Sequence, residues 1–448
     1  MALGERAGCQ IRRIPCEQWW RRGLGDSLRK MSAATPSRRQ PPKVRRPEPA
    51  PVAESALITG LTQQMHHHPT SDRQQAVDAF LGQHPTSPIV EPDPAGDAHH
   101  RIVTFVRQDA NAAEVLLFVN RLTDETDLDR SLMQHVAGTD LWHLSYRMRD
   151  DWVASYSFNV AKAGELAPWR GQPDQRGIRE ALDHGEPDTR NPLTMTNRAG
   201  RRVSVVALEA APGDHWSTPH GAPAGELTAH TGPDGRRLWV YLPAGGCGAD
   251  GAPLLIVLDG DVWRGTQPLP TMLDNLIEAQ AIAPVVAVFV DSADREQRWS
   301  ELDEHGGIAD WMADRLRPWL TELPNASIAT NPQHTVVVGQ SLGGLAALAA
   351  VVRRPDAFGG AIAQSAALWQ TDVVDEAAAR PPREARIEIQ VGQQEWVLLP
   401  PARAFAAQLA GDGVDVRLTE VNGGHDYAWW RRTLPDALQR LFAERGTR

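Results

Sequence analysis

One segment constrains the fold of this 448-residue chain more than any other: Thr335-Val-Val-Val-Gly-Gln-Ser-Leu-Gly-Gly-Leu-Ala-Ala-Leu-Ala349. An apolar, β-branched run enters a Gly-x-Ser-x-Gly turn and leaves into a run of strong helix formers. That order belongs to a sharp strand-to-helix turn, which presents the central serine at the top of a sheet. The turn is strained, so the residues two positions either side of Ser341 must be small, and Gly339 and Gly343 meet that need. The helix start aims backbone N–H groups and the positive end of the helix dipole at the place where negative charge develops during acyl transfer. Ser341 therefore reads as the nucleophile of a serine hydrolase.

The flanking sequence supplies the sheet such a turn requires. Apolar runs recur at 254–258, 285–290, 335–338, 360–363, 387–391 and 416–421, with helix-like stretches at 271–281, 308–320, 343–353 and 401–409 between them. Continuous apolar strands alternating with helices predict a mostly parallel sheet covered on both faces, the α/β-hydrolase arrangement. The strand 237–242 is expected to open this half. In it the triad order is Ser, then Asp/Glu, then His. His425, in Asn422-Gly-Gly-His-Asp426, is the one histidine downstream of Ser341 and is the expected base. Glu395, directly after the run 387–391, is the leading acid, with Asp372, Asp375 and Asp426 as rivals.

An oxyanion hole needs two N–H donors. Leu342, following the nucleophile, supplies one, and Gly260 or Asp261, after the strand 254–258, the other. Arg298 lies beyond the strand 285–290, where it would hold an anionic substrate, shape the oxyanion loop, or pair with Glu301. Trp263, Trp299 and Trp396 are read as packing or, on the substrate that the resemblance given below implies, as substrate contacts.

The N-terminal half is different in kind. Short runs at 101–107, 113–119, 141–147, 152–158 and 202–207 are β-branched or alternate, with Asp/Asn turns between them, which predicts a β-sandwich-like domain. The expected organisation is a disordered basic tail over 1–55, the β-rich domain over 56–215 and the catalytic domain over 216–448, with 211–229 as a linker. Residues 1–50 carry 12 Lys+Arg against 4 Asp+Glu, whereas the rest carries 34 against 52, so the body is acidic. An acidic body argues against nucleic acid as partner. There is no run of about 18 apolar residues, so no membrane span is expected. Three cysteines, Cys9, Cys16 and Cys247, form no disulfide framework and suit a reducing, cytoplasmic setting. His66-His67-His68 cannot all face one ion from regular structure, so no metal site is expected there.

At these residues the chain resembles the enterochelin (enterobactin) esterases. The matching pieces are Leu258-Asp-Gly260 with Trp263, Arg298-x-x-Glu-Leu302, Gly339-Gln-Ser-x-Gly-Gly344, Val391-Gly-x-x-Glu395 and Gly423-Gly-His-Asp426 followed by Trp430-Arg431. In the β-rich half they are Val103-Thr-Phe105, Met133 with Gly138-Thr-Asp-x-Trp-His143, and Tyr156-Ser-Phe158. The family often has an Asn shortly after its Arg-x-x-Glu-Leu, where this chain has Asp303-Glu304-His305. The resemblance implies hydrolysis of the tri-serine lactone of a catecholate siderophore, a small-molecule substrate that brings its own iron, with no resident cofactor or metal. It implies Ser341 as nucleophile, His425 as base and Glu395 as acid. The competing expectations are an esterase or acyltransferase of the same branch acting on another ester, and a non-catalytic carrier of ferric catecholates. Oligomeric state is not legible.

Overall fold

The computed structural model describes residues 40–66, 69–197, 200–248 and 251–443. From Pro42 onward these belong to one compact unit. The sequence readings on Cys9, Cys16, His67 and His68 fall outside the described residues.

The N-terminal half holds strands β1 (Ile89–Pro92), β2 (His100–Gln108), β3 (Ala112–Val119), β4 (Gln134–His135), β5 (Leu141–Arg149), β6 (Val153–Lys162), β7 (Thr194–Thr196) and β8 (Arg202–Ala207). They form two four-stranded sheets, in the orders β1-β2-β5-β4 and β3-β6-β8-β7, all antiparallel. Val103, Phe105, Leu144 and Tyr146 of one sheet meet Val115, Leu117, Tyr156 and Phe158 of the other in a single core, which makes the half a sandwich. The outer face of the first sheet is also covered. Ile58, Leu61 and Met65 of the helix Ala56–His66, with Val77 and Phe80 of the helix Thr70–Gln83, pack on Val106 and Leu141.

Two sequence expectations are corrected here. Residues 42–55 are not a loose tail. Arg46 donates to the carbonyls of Arg121, Leu122 and Thr123 at 2.5, 2.9 and 2.8 Å, and residues 51–53 pair with β5 through Ala53 N–H to Ser145 O and Arg147 N–H to Pro51 O. These anchors are polar, so they leave no apolar periodicity to read. The expected linker 211–229 also contains structure: Glu226–Thr231 is strand β9, the edge of the C-terminal sheet ahead of β10 (Arg237–Leu242). As a half-exposed edge strand of Glu, Thr and His, it lacks the apolar run of an interior strand.

The C-terminal half continues with β11 (Leu254–Val257), β12 (Val286–Val290), β13 (Thr335–Gln340), β14 (Gly360–Gln364), β15 (Arg386–Gly392) and β16 (Asp415–Val421). The eight-stranded order is β16-β15-β14-β13-β11-β12-β10-β9, parallel from β12 to β16 and antiparallel at β10 and β9. Chain order reverses beside β11, which has β12 on one side and β13 on the other. In open α/β sheets ligands bind outside the carboxyl ends of strands at such a point. The central strands β11 to β14 are fully buried because helices cover both faces; Leu345, Leu348, Ala349 and Val352 of the helix Leu342–Arg353 pack on one face. On the other face Trp429, Leu434, Leu438 and Leu441 of the helix Tyr427–Phe442 reach the sheet, and Val153, Met195, Val203 and Val205 of the sandwich join the same core. Each such buried side chain contributes roughly 1.5–3 kcal/mol, so the two halves share apolar stabilisation and not only polar contacts.

Candidate active site

Ser341 stands between β13 and the helix Leu342–Arg353 with φ 59° and ψ −117°. A positive φ in a non-glycine residue costs on the order of 1–3 kcal/mol and persists only where its surroundings hold it. Here the Ser341 N–H donates to Gln364 O at 3.0 Å, while its carbonyl accepts from Leu345 N–H (3.1 Å) and Ala367 N–H (3.0 Å). A Cβ on Gly339 would stand 2.3 Å from the Gly343 backbone, so the sharp return of the chain depends on that glycine.

Beneath the turn runs a buried row of glutamines at the ends of three adjacent strands. Gln340 Nε2 donates to Gln364 Oε1 (2.9 Å), and Gln364 Nε2 donates to Gln390 Oε1 (2.7 Å), matching the register of β13, β14 and β15. Trp263 Nε1 donates to Gln340 Oε1 at 2.7 Å at one end of the row, and Thr433 Oγ1 donates to Gln390 Oε1 at 2.9 Å at the other. A row with its polar atoms paired holds the strand ends in register where a half-paired one would destabilise them.

Glu395 follows β15, and one of its oxygens is 2.6 Å from His425 Nδ1. The other accepts from Ser365 Oγ (2.6 Å) and Gly392 N–H (2.8 Å), and Trp430 Nε1 donates to Ser365 Oγ (2.9 Å). The Glu395 side chain is 1% exposed and that of His425 30%. A carboxylate on Nδ1 fixes the tautomer and leaves Nε2 as the acceptor. Trp430 stands edge-on to the His425 ring, 4.9 Å between centroids. Ser341 and His425 line the same cavity without a hydrogen bond between them, as is common when no substrate is bound. Of the rival acids, Asp426 lines the same cavity but is engaged in capping the helix Tyr427–Phe442 and in bonding to Ser155, while Asp372 and Asp375 lie outside it in the helix Asp372–Ala379, with Asp372 facing His305 at 3.6 Å.

The oxyanion and substrate residues divide. Leu342 is the first residue of its helix, so its N–H has no intrahelical acceptor. Gly260 and Asp261 do not line the Ser341 cavity: a Cβ on Gly260 would stand 2.4 Å from the β12 backbone, and Asp261 turns toward Ser292. Asp259 is the residue of that turn which reaches the cavity. It forms a two-pronged ion pair with Arg298 (2.5 and 2.6 Å) and accepts from Ser292 Oγ (2.6 Å). Arg298 also donates to Gln340 O at 3.3 Å. Burial lowers the Arg298 pKa, but the Asp259 charge and hydrogen bonds outweigh that and hold it above its ordinary value. Arg298 is therefore spent on shaping the turn rather than free to grip an anion, and Glu301 pairs instead with Arg236. Trp263 is wholly buried under Gln340, and Trp299 packs beside Trp369; neither lines the cavity. Trp396 lies beneath the guanidinium groups of Arg121 and Arg46, at 4.9 and 5.2 Å.

The cavity itself is about 300 Å³ and is walled by both halves. Ser341, His425, Asp426, Tyr427 and Trp430 form one side; Asn120, Arg121, Ser155 and Arg179 come from the sandwich. Asn120 Nδ2 donates to the His425 carbonyl at 3.3 Å, and Gly424 has no room for a side chain because a Cβ would stand 2.2 Å from Arg121 Cγ. Sequence reading missed these sandwich residues. It also missed Ser365, for which a local signal exists: the Gln364-Ser365 pair repeats Gln340-Ser341 one strand over and shares its positive φ.

Residues 102–217 match the family model described as enterochelin esterase, N-terminal, and residues 231–441 match the Esterase family model. The iron(III) enterobactin esterase of Dickeya dadantii (strain 3937) is 30% identical over 385 residues, which cover 78% of this chain and 86% of that protein. The chain belongs to the enterochelin esterase family. The ferric enterobactin esterase of Salmonella typhimurium superposes with a TM-score of 0.70 at 25% identity, over 81% of this chain and 98% of that one. The Shigella flexneri enterobactin esterase solved in the presence of enterobactin gives 0.68 at 25% identity, over 81% and 97%. As an enterochelin esterase the chain is a carboxylic ester hydrolase with an α/β-hydrolase catalytic half. Among the described residues no helix is long and apolar enough to cross a membrane.

Proposed function

We propose that this esterase hydrolyses the tri-serine lactone of a catecholate siderophore such as enterobactin, acting on the ferric complex in the cytoplasm so that iron is released from the opened ligand. The observation that carries this reading is the cavity shared by Ser341, His425 and the sandwich, together with the kinship to enterobactin esterases. A generic esterase of this branch has no need of a second domain in its active-site wall. The volume of about 300 Å³ is at the small end of ligand sites. It suits one catechol-serine arm at a time, with the remainder of the lactone outside.

In this mechanism His425 Nε2 takes the proton of Ser341 as Oγ attacks a lactone carbonyl. The oxyanion is received by the Leu342 N–H and the start of its helix. Glu395, held by Ser365 and Gly392, stabilises the imidazolium. His425 returns the proton to the leaving serine hydroxyl and then activates the water that hydrolyses the acyl-enzyme. Nucleophile, base and acid are all protein side chains, so iron enters as cargo of the substrate rather than as a resident group.

The test is product analysis with purified protein on ferric and iron-free tri-catechol lactone and on a generic aryl ester. Linear catechol-serine products, formed faster than aryl ester is cleaved and lost in Ser341→Ala, are expected. Cleavage of neither lactone faster than the aryl ester would sink the siderophore reading.

A further inference from the structure

Three arginines line the catalytic cavity: Arg121, Arg179 and Arg298. Two are neutralised. Arg298 is held by both oxygens of Asp259, and Arg179 Nε donates to Glu125 at 3.1 Å. Arg121 differs: among the described residues no carboxylate lies within ion-pair distance of its guanidinium. Its support is aromatic, the Trp396 ring 4.9 Å away. Burial, followed by the like charge of Arg179, pushes its pKa below the ordinary value. Glu395 and Glu125 oppose that shift only through space, and a cation so placed beside a buried triad is costly to the fold unless something else meets it.

The backbone also holds Arg121 in place. It has φ 62° at the turn that follows β3. Arg46 clamps that turn through three carbonyls and lies 3.4 Å from Asp124. On the other side, Asn120 bonds to the His425 carbonyl. The guanidinium is thus fixed next to the catalytic histidine loop by a segment preceding residue 50, outside both matched family regions.

We propose that Arg121 is the specificity residue for the negatively charged, metal-loaded substrate, binding catecholate oxygens while Ser341 attacks, and that Arg46 is its positioning residue. This rests on the siderophore reading above. A guanidinium presents a planar fork to paired oxygens and stacks on aromatic rings, which suits a deprotonated catechol. A ferric tris-catecholate is anionic, whereas the iron-free catechols are protonated and neutral near pH 7. Arg121 therefore favours the ferric complex.

The experiment compares wild type, Arg121→Gln, Arg121→Lys and Arg46→Gln by steady-state kinetics on ferric lactone, iron-free lactone and 4-nitrophenyl acetate, after thermal unfolding shows each variant folded. In Arg121→Gln, KM for ferric lactone is expected to rise about 10–100-fold, the worth of a charge-assisted hydrogen bond, with kcat at saturation falling far less. The preference for ferric over iron-free lactone should collapse. Arg121→Lys should restore part of it, and Arg46→Gln should shift KM in the same direction by less. An unchanged ferric KM, or an equal loss on all three substrates, overturns the assignment. Wild-type protein that cleaves neither lactone overturns the functional reading along with it, so the two failures are distinct.

Discussion

Ser155 and Asp426, 271 residues apart, are bonded twice: the Ser155 N–H and hydroxyl both donate to Asp426 Oδ2, at 2.6 and 2.7 Å. The other carboxylate oxygen accepts from Ala428 N–H at 2.9 Å and caps the helix that carries Trp430. One side chain therefore pins the base's loop to the sandwich and starts the last helix. Asp426→Ala is expected to lose about 1 kcal/mol of capping and about 1–3 kcal/mol for the donors left unpaired. Both a lower Tm and a lower kcat should follow; a variant with wild-type Tm and kcat would show that this contact is dispensable.

Glu395→Gln tests the tautomer argument. The amide oxygen would stay with Ser365 and Gly392, which both donate, so the amide NH2 would face His425 Nδ1. Nδ1 would then have to accept, the proton would move to Nε2, and the base could no longer take the Ser341 proton. A fall in kcat on the order of 10³–10⁴-fold is expected without loss of fold by circular dichroism. A fall below tenfold would remove Glu395 from the triad.

Gly424→Ala places a Cβ 2.2 Å from Arg121 Cγ and 2.4 Å from Asn120 Oδ1. Overpacking of this kind costs about 1–3 kcal/mol, and the strain falls on the loop that holds His425. A displacement of about 1 Å in a catalytic group lowers the rate on the order of 10²-fold. Reduced kcat in a protein that still unfolds cooperatively is the expected result, read by stopped-flow ester hydrolysis alongside a urea titration.

His143, on β5, gives a pH dependence. Burial pushes its imidazole below the ordinary value of 6.5. Between the lowered pKa and 6.5 the unfolded chain binds a proton that the native state refuses, so stability rises with pH through that window and is lost as pH falls below about 6.5. The urea midpoint should be lower at pH 5.5 than at 7.5, and His143→Gln should shrink that difference. An identical difference in the variant would place the effect elsewhere.

The positions of Ser341, Glu395 and His425 were legible because each follows a strand and so carries a local signature: Ser341 after β13, Glu395 after β15, His425 after β16. Order along the chain proposes their roles, and the Glu395–His425 contact agrees with that order. The fate of Arg298 was not legible, because its partner Asp259 is 39 residues away and the choice between it, Glu301 and a substrate is made only by the packing of β11 against β12. Arg121 was harder still. It sits in a turn of the other half, more than 200 residues from the nucleophile, and only the docking of the sandwich onto the His425 loop brings it into the site. The clamp at Arg46 was hidden because side chain-to-carbonyl bonds leave no periodic trace in a basic, proline-rich stretch.

The bond from Asn120 to the His425 carbonyl has a consequence for how the enzyme comes into being. On a ribosome the sandwich is finished long before β16 is made, and the partner loop for the base is waiting when Gly423-Gly424-His425 emerges. Ser341 is translated 84 residues ahead of His425. A nascent or truncated chain can thus present a formed elbow and still be inert, and hydrolysis switches on only when the last strand docks. Termination anywhere before residue 425 should release a protein without esterase activity, however well its first half has folded.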